Sequence, residues 1–226
     1  MGLELYAKIE PYLGFEEQKH LLYDIFLQKL KSLNIKTCLD VGCGSGEFLL
    51  MAKEQGLSCM GIDLSYEMIQ RAKVLGVEVY NIDLCQITKK FDAVTAIFDV
   101  INYLKRNDLE KFFQCVYNVL NENGYFVCDM NTLYGFKEVA QGALILDKNE
   151  HFITIDAEFN DNKLTTMINY FFAKGKNCYQ KEHDVIIQYY HDIELLKNFG
   201  LKLVDLDFIA LYGEQADKVI MTWKRM

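Results

Sequence analysis

The acids and glycines of this chain fall at intervals suited to capturing a small cationic ligand. Asp40 lies inside an apolar run, Thr37-Cys38-Leu39-Asp40-Val41, and Gly42, Gly44 and Gly46 follow at every second position, with Cys43 between the first two. Glycine lacks Cβ, so the backbone can take positive φ and a bulky ligand can lie against the main chain. Asp63 stands 23 positions after Asp40, just past a second apolar run that ends in Gly61-Ile62. A carboxylate there has two acceptor oxygens and can grip both hydroxyls of a ribose. A pyrophosphate would be repelled by Asp40, whereas an ammonium group would be drawn to it. The spacing also departs from the dinucleotide fingerprint G-x-G-x-x-G, because Glu47 occupies the place of the third glycine.

The elements that must carry these residues alternate regularly. An amphipathic helix over Glu16 to Leu33 follows an irregular opening (residues 1–15), and the strand with Asp40 runs into the glycine loop and then a helix that Gly56 stops. Leu57 to Ile62 is a second strand, Ser65 caps a helix over Tyr66 to Leu75, and Val77 to Ile82 is a third strand. Phe91 to Phe98 is almost wholly apolar and therefore central. Asn107-Asp108 caps the next helix, and Asn123-Gly124 turns into a fifth strand, Tyr125 to Met130. This alternation predicts an α/β fold with a doubly wound, mostly parallel sheet. Ligands then sit beyond the carboxyl ends of the strands, which points to Phe98, Asp99, Asn102 and Tyr103 beside the loop.

From His151 the pattern changes for about forty residues. Phe152 to Phe159, Leu164 to Phe172 and Tyr179 to Tyr190 read as three antiparallel strands, joined by Asp161-Asn162 and Gly175-Lys176-Asn177 turns. They form a small antiparallel β cap. Asp192 caps a helix over Ile193 to Phe199, and Leu201 to Leu211 and Lys218 to Trp223 form a closing hairpin around Tyr212-Gly213. The expected organisation is one domain over 1–226, with a ligand-binding core at 34–131, the cap at 132–190 and the closing elements at 191–226.

The segment from Asp40 to Gly46 resembles motif I of the class I S-adenosylmethionine-dependent methyltransferases. That resemblance covers residues 34–131, and it implies a Rossmann-like seven-stranded sheet, S-adenosylmethionine as cofactor and S-adenosylhomocysteine as product. It implies that Asp40, Gly42, Cys43, Gly44, Gly46, Asp63, Leu64, Phe98 and Asp99 bind the cofactor. Asp83 would take the adenine amino group while Leu84 packs on the ring. It also places an N-terminal aromatic over the cofactor, for which Tyr6 and Tyr12 are the candidates. Glu182-His183, Tyr189-Tyr190 and Leu195-Leu196-x-x-Phe-Gly-Leu are similar to a segment of small-molecule methyltransferases with such a β insertion, sugar-amine enzymes among them.

Methyl transfer from a sulfonium is an in-line displacement, so the protein chiefly aligns donor and acceptor. A base is needed only for a protonated acceptor, and His183 is the candidate because histidine as a residue type can exchange a proton near neutral pH. Tyr103, Tyr12 and Asp99 could orient an amine, which is favoured over a hydroxyl as acceptor. Asp99, Asp129 and Asn131 only approximate a metal set, so no metal is expected. Alternatives are a nicotinamide-dependent oxidoreductase and a cofactor-binding protein without catalysis.

Composition bounds the partners. The chain has 226 residues and a net charge of −8, with 24 Lys and Arg against 32 acids. No basic run suits nucleic acid. No apolar run spans a membrane and no leader opens the chain, which points to the cytoplasm and to no membrane partner. A small-molecule substrate is the expected partner, with a homodimer as an option. The seven cysteines show no C-x-x-C pair and are expected to be reduced thiols.

Overall fold

The computed structural model describes residues 2–175, 178–197 and 199–226. Two sheets organise it. The larger has seven strands: β1 (Thr37–Val41), β2 (Ser58–Ile62), β3 (Glu78–Tyr80), β4 (Phe91–Ala96), β5 (Leu120–Asn131), β10 (Lys202–Ile209) and β11 (Lys218–Lys224). Their order is β10-β11-β5-β4-β1-β2-β3. Strands β1 to β5 pair in parallel, while β11 runs antiparallel to both β5 and β10. The order reverses between β1 and β4, which opens a crevice at their carboxyl ends.

Helices cover both faces because the central strands are apolar on both sides. Helices α2 (Glu16–Ser32) and α3 (Glu47–Glu54) bury Phe26, Leu30 and Phe48 against Cys38, Ala93 and Val127. Helix α4 (Tyr66–Val74) packs Ile69 and Ala72 beside Leu49. On the other face α5 (Arg106–Val119) and the short α6 (Ile193–Leu196) bury Phe113, Val116 and Leu196 against Phe126 and Trp223.

The smaller sheet has order β6-β7-β8-β9, built from β6 (Gly142–Lys148), β7 (His151–Asn160), β8 (Lys163–Ala173) and β9 (Tyr179–Tyr189), all antiparallel. The cap therefore has four strands where the sequence pattern suggested three. Its first strand follows a π-helical turn, Gly135–Ala140, and five of its seven residues are exposed, with only Ala143 to Leu146 as a short apolar run. The Asp161-Asn162 turn forms with both residues at positive φ, as a tight hairpin of right-twisted strands requires. In the other expected turn, Lys176 and Asn177 lie outside the described residues, as does Asn198 in the segment expected to prolong α6.

Three further expectations need correction. The opening segment is helical, with α1 (Leu3–Ile9) running into a 3₁₀ turn, Glu10–Tyr12, that Pro11 helps start. Helix α5 begins at Arg106 with Lys105 at its N-cap and no side-chain cap, so Asn107 and Asp108 lie in its first turn. Cys85 and Cys115 form a disulfide that ties the turn after β3 to α5, leaving Cys38, Cys43, Cys59, Cys128 and Cys178 free. Spacing alone gave no hint of that pair, because the two residues meet only when α5 packs on the sheet. No helix among the described residues is long and apolar enough to cross a membrane.

Candidate active site

A cavity of about 410 Å³ opens at the carboxyl ends of β1, β2 and β4 and lies under α1 and α2. It falls within the range of small-molecule and cofactor sites. Gly42, Gly44 and Ser45 form its floor, with Asp63, Leu64, Asp83 and Leu84 on one side and Phe98, Asp99 and Tyr103 on the other. Tyr6, Glu10, Lys19 and Tyr23 close the top, and Tyr212 completes the wall.

The floor is shaped by missing side chains. Gly42 has φ +75, and a Cβ there would come within 2.8 Å of Val100 Cγ2, so any other residue would be strained in its backbone and would press on Val100. The loop is held by its neighbour strand, since the Gly42 and Cys43 amides donate to Ile62 O at 2.8 and 3.0 Å. Asp63 ties this floor to the next wall. Its Oδ2 accepts from the Gly44 amide at 2.9 Å and its Oδ1 from the Ser65 amide at 2.7 Å. Burial pushes the Asp63 carboxyl up, and those amides pull it back.

Some predicted residues stand elsewhere. Asp40, Cys43 and Gly46 do not line the cavity. Asp40 is buried below the loop, where Thr95 Oγ1 donates to its Oδ1 at 2.7 Å. Burial raises its carboxyl to about 7, so near neutrality a large share of Asp40 is protonated. Cys43 packs under Gly61, and Gly46 begins α3 facing Ala72. These three shape the loop that forms the floor. Asp83 lines the cavity but also caps the Leu84–Gln86 turn, its Oδ1 accepting from the Cys85 amide at 2.8 Å.

Asp40 makes a pH prediction. The native state keeps this proton up to about pH 7, whereas the unfolded chain releases it near the ordinary value of 3.8. Between those limits the native state binds more protons, so Asp40 makes stability fall as pH rises, by about 1.4 kcal/mol per pH unit. Asp40→Asn is expected to flatten that slope in urea titrations between pH 4 and 7, and an unchanged slope would refute the assignment.

The proposed aromatic and histidine roles also shift. Tyr12 points to the cap, where its hydroxyl meets His151 Nε2 at 3.1 Å and His151 Nδ1 meets the Tyr170 hydroxyl at 2.6 Å. Tyr6, six residues earlier, is the one of the two that reaches the cavity. His183 is exposed on β9, on the face opposite Glu182 and Ile186, which pack toward α1. Its Nδ1 lies 3.1 Å from both Ile168 O and Asn169 Oδ1, and it does not line the cavity. The alternation of side chains along a strand decides this, and sequence alone does not show which face turns inward. His183→Ala is accordingly expected to leave cofactor affinity unchanged by titration calorimetry; a loss beyond about threefold would return His183 to the site.

Beside Asp99 the structure reveals a charged cluster that sequence reasoning missed. Lys218 and Asp129 are 1% and 0% exposed, with Lys218 Nζ 2.8 Å from Asp129 Oδ2 and also bonded to Asp99 Oδ1. Burial disfavours the ammonium, yet the Asp129 and Asp99 carboxylates hold Lys218 charged, well above an ordinary lysine. Burial likewise pushes the Asp129 carboxyl up, against the pull of that ammonium. Asn131 Nδ2 donates to Asp99 Oδ2 at 2.9 Å. Asn102 is buried beneath, bridging the Asn131 amide and Tyr189 O, and so joins core to cap. A visible signal existed: charged residues inside the apolar runs Phe126–Met130 and Lys218–Trp223, where burial demands a partner.

Glu10, Glu16 and Glu47 surround Lys19 Nζ at 3.5, 2.9 and 2.9 Å. Glu4 accepts from the Tyr66 amide at 2.9 Å at the start of α4, and Lys8 pairs with Glu182 of the cap at 2.6 Å. Helix α1 thus bridges core and cap across the cavity mouth.

Residues 38–124 match the family model of a methyltransferase domain. Among curated proteins the chain is similar to the putative methyltransferase YqeM of Bacillus subtilis, 29% identical over 187 residues that span 75% of this chain and 76% of that protein. Its fold is similar to that of an S-adenosylmethionine-dependent methyltransferase from Clostridium acetobutylicum, with TM-score 0.78 and 23% identity over 98% of this chain and 96% of that one. The sugar N-methyltransferase KedS8 from Streptoalloteichus has TM-score 0.74 and 16% identity over 99% of this chain and 92% of that one.

Proposed function

Because the chain is a class I S-adenosylmethionine-dependent methyltransferase, we propose that its substrate is a small molecule and that an amine nitrogen of that molecule receives the methyl group. The observation that carries the proposal is the composition of the cavity wall. Glu10, Glu16, Asp63, Asp83 and Asp99 bring carboxylates to it, against Lys19 as the lining cation among the described residues. Such a wall favours a cationic donor and an amine-bearing acceptor. The name of KedS8 as a sugar N-methyltransferase agrees with this choice.

Once bound, the cofactor supplies an electrophilic methyl on a sulfonium. The chain contributes position. Asp63 would take the ribose hydroxyls through the lone pairs its two backbone bonds leave free, Leu84 would pack on the adenine, and Asp83 would take the adenine amine. Lys19 with its three glutamates would face the amino-acid end. Tyr6, Tyr103 and Tyr212 surround the end next to Asp99. Burial drives the Tyr6 phenol to about 12 and raises those of Tyr103 and Tyr212 further, so all three stay protonated. They can hold a nucleophile by hydrogen bonds but not act as bases. A hydroxyl acceptor must surrender its proton, whereas a neutral amine attacks with its own lone pair. No histidine is among the described residues lining the cavity.

The test is to incubate the protein with methyl-labelled S-adenosylmethionine and a metabolite extract, then locate the label by mass spectrometry. An N-methylated small molecule is expected. Label on oxygen would overturn the choice of acceptor, and label only on macromolecules would overturn the substrate class.

A further inference from the structure

Phe98 and Asp99 stand at the end of β4 with φ of +63 and +60. Two successive side-chain-bearing residues in the left-handed region are strained, and such strain persists only where the surroundings enforce it. Both residues line the cavity, beside Tyr103. What enforces the turn is visible. The Asp129 carboxylate accepts from the Phe98 amide at 2.7 Å through Oδ1 and from the Asp99 amide at 3.3 Å through Oδ2. Lys218 bonds to the same Oδ2 and to the Asp99 side chain, and its ammonium lies 5.9 Å from the centre of the Phe98 ring. Asp129 comes from β5 and Lys218 from β11, so two rigid neighbouring strands grip one strained corner.

We propose that Asp129 and Lys218 are positioning residues for methyl transfer, holding Phe98 and Asp99 in the left-handed turn that presents both side chains to the acceptor end of the cavity. The inference rests on the reading of this cavity as the transfer site. The bracket also defines what Asp99 can do. Its Oδ1 is taken by Lys218 and its Oδ2 by Asn131, with Gln188 Nε2 at 3.5 Å, so Asp99 serves as a fixed acceptor and not as a free base. A fixed acceptor orients an amine without removing its proton.

The experiment measures binding of S-adenosylmethionine and of S-adenosylhomocysteine separately, by titration calorimetry, to the wild type and to Asp129→Asn. The two ligands differ only in the methyl and the charge it brings, so their affinity ratio reports on the corner beside that methyl. Asp129→Asn is expected to weaken S-adenosylmethionine by about tenfold or more while S-adenosylhomocysteine changes by less than about threefold. Parallel losses for both ligands, or no loss for either, would overturn the positioning role. If Asp129→Asn does not fold, Lys218→Arg takes its place, because it keeps the charge but not the reach, and the same divergence is expected. The holding role has its own check in a double-mutant cycle. Glycine at 98 takes positive φ without strain, so Asp129→Asn should lower Tm less in the Phe98→Gly background than in the wild type. Equal drops would refute it. Should the wild type bind neither ligand, the site reading itself fails, a result distinct from any of these.

Discussion

Asp63→Ala is expected to weaken S-adenosylmethionine binding by at least about tenfold, since one charge-assisted hydrogen bond is worth about 1.5–3 kcal/mol. Two losses combine in that variant. The carboxylate that would hold the ribose disappears, and the amides of Gly44 and Ser65 lose the acceptor that sets the distance between loop and wall. Asp63→Asn separates the two, because its single carbonyl oxygen can serve one amide but not both. The expected order of affinity is wild type, then Asn, then Ala, measured by titration calorimetry with S-adenosylhomocysteine as a second ligand. Native affinity in Asp63→Ala would remove Asp63 from the site.

Lys218→Met is expected to have the largest effect on stability. The substitution preserves much of the side-chain volume but strands Asp129, wholly buried, and Asp99, partly buried, without their counter-charge. Removing one partner of a buried ion pair costs about 3–5 kcal/mol. The pH dependence identifies the cause. Burial already raises the Asp129 carboxyl, and without the ammonium it rises further above its unfolded value, so the native state binds more protons than the unfolded chain. Stability of the variant should therefore rise as the pH falls from 7 toward about 5, in urea titrations, whereas a loss of packing alone would be insensitive to pH. A variant as stable as the wild type at pH 7 would show that the cluster contributes nothing net.

How much of this was legible depends on range. Strand, glycine loop and helix around Gly42 are local patterns, and the alternation that follows predicts a doubly wound, mostly parallel sheet, while the strand order is decided by the tertiary structure. Ser65 caps α4 as its sequence context indicates, its Oγ accepting from the Met68 amide at 3.2 Å. Three arrangements depend on partners remote in the sequence. Tyr12 and Tyr6 look alike in sequence, but only Tyr6 reaches the cavity, because Tyr12 is drawn to His151 of the cap. Strand β6 offers only the short apolar run Ala143 to Leu146, because its edge position leaves five of its seven residues exposed. The Cys85–Cys115 bond joins residues thirty positions apart.

Sequence by itself determined where the chain bends around a ligand, since backbone conformation and hydrophobic period are properties of neighbouring residues. Tertiary structure alone decided which acids face the cavity and which are spent on holding the protein together. Asp40 sank beneath the loop, His183 turned outward, and Lys218 crossed from the last strand to join Asp99 and Asp129. The reason is physical: a side chain's face follows from strand register, and a buried charge's role follows from its counter-charge, which here lies 89 residues away along the chain.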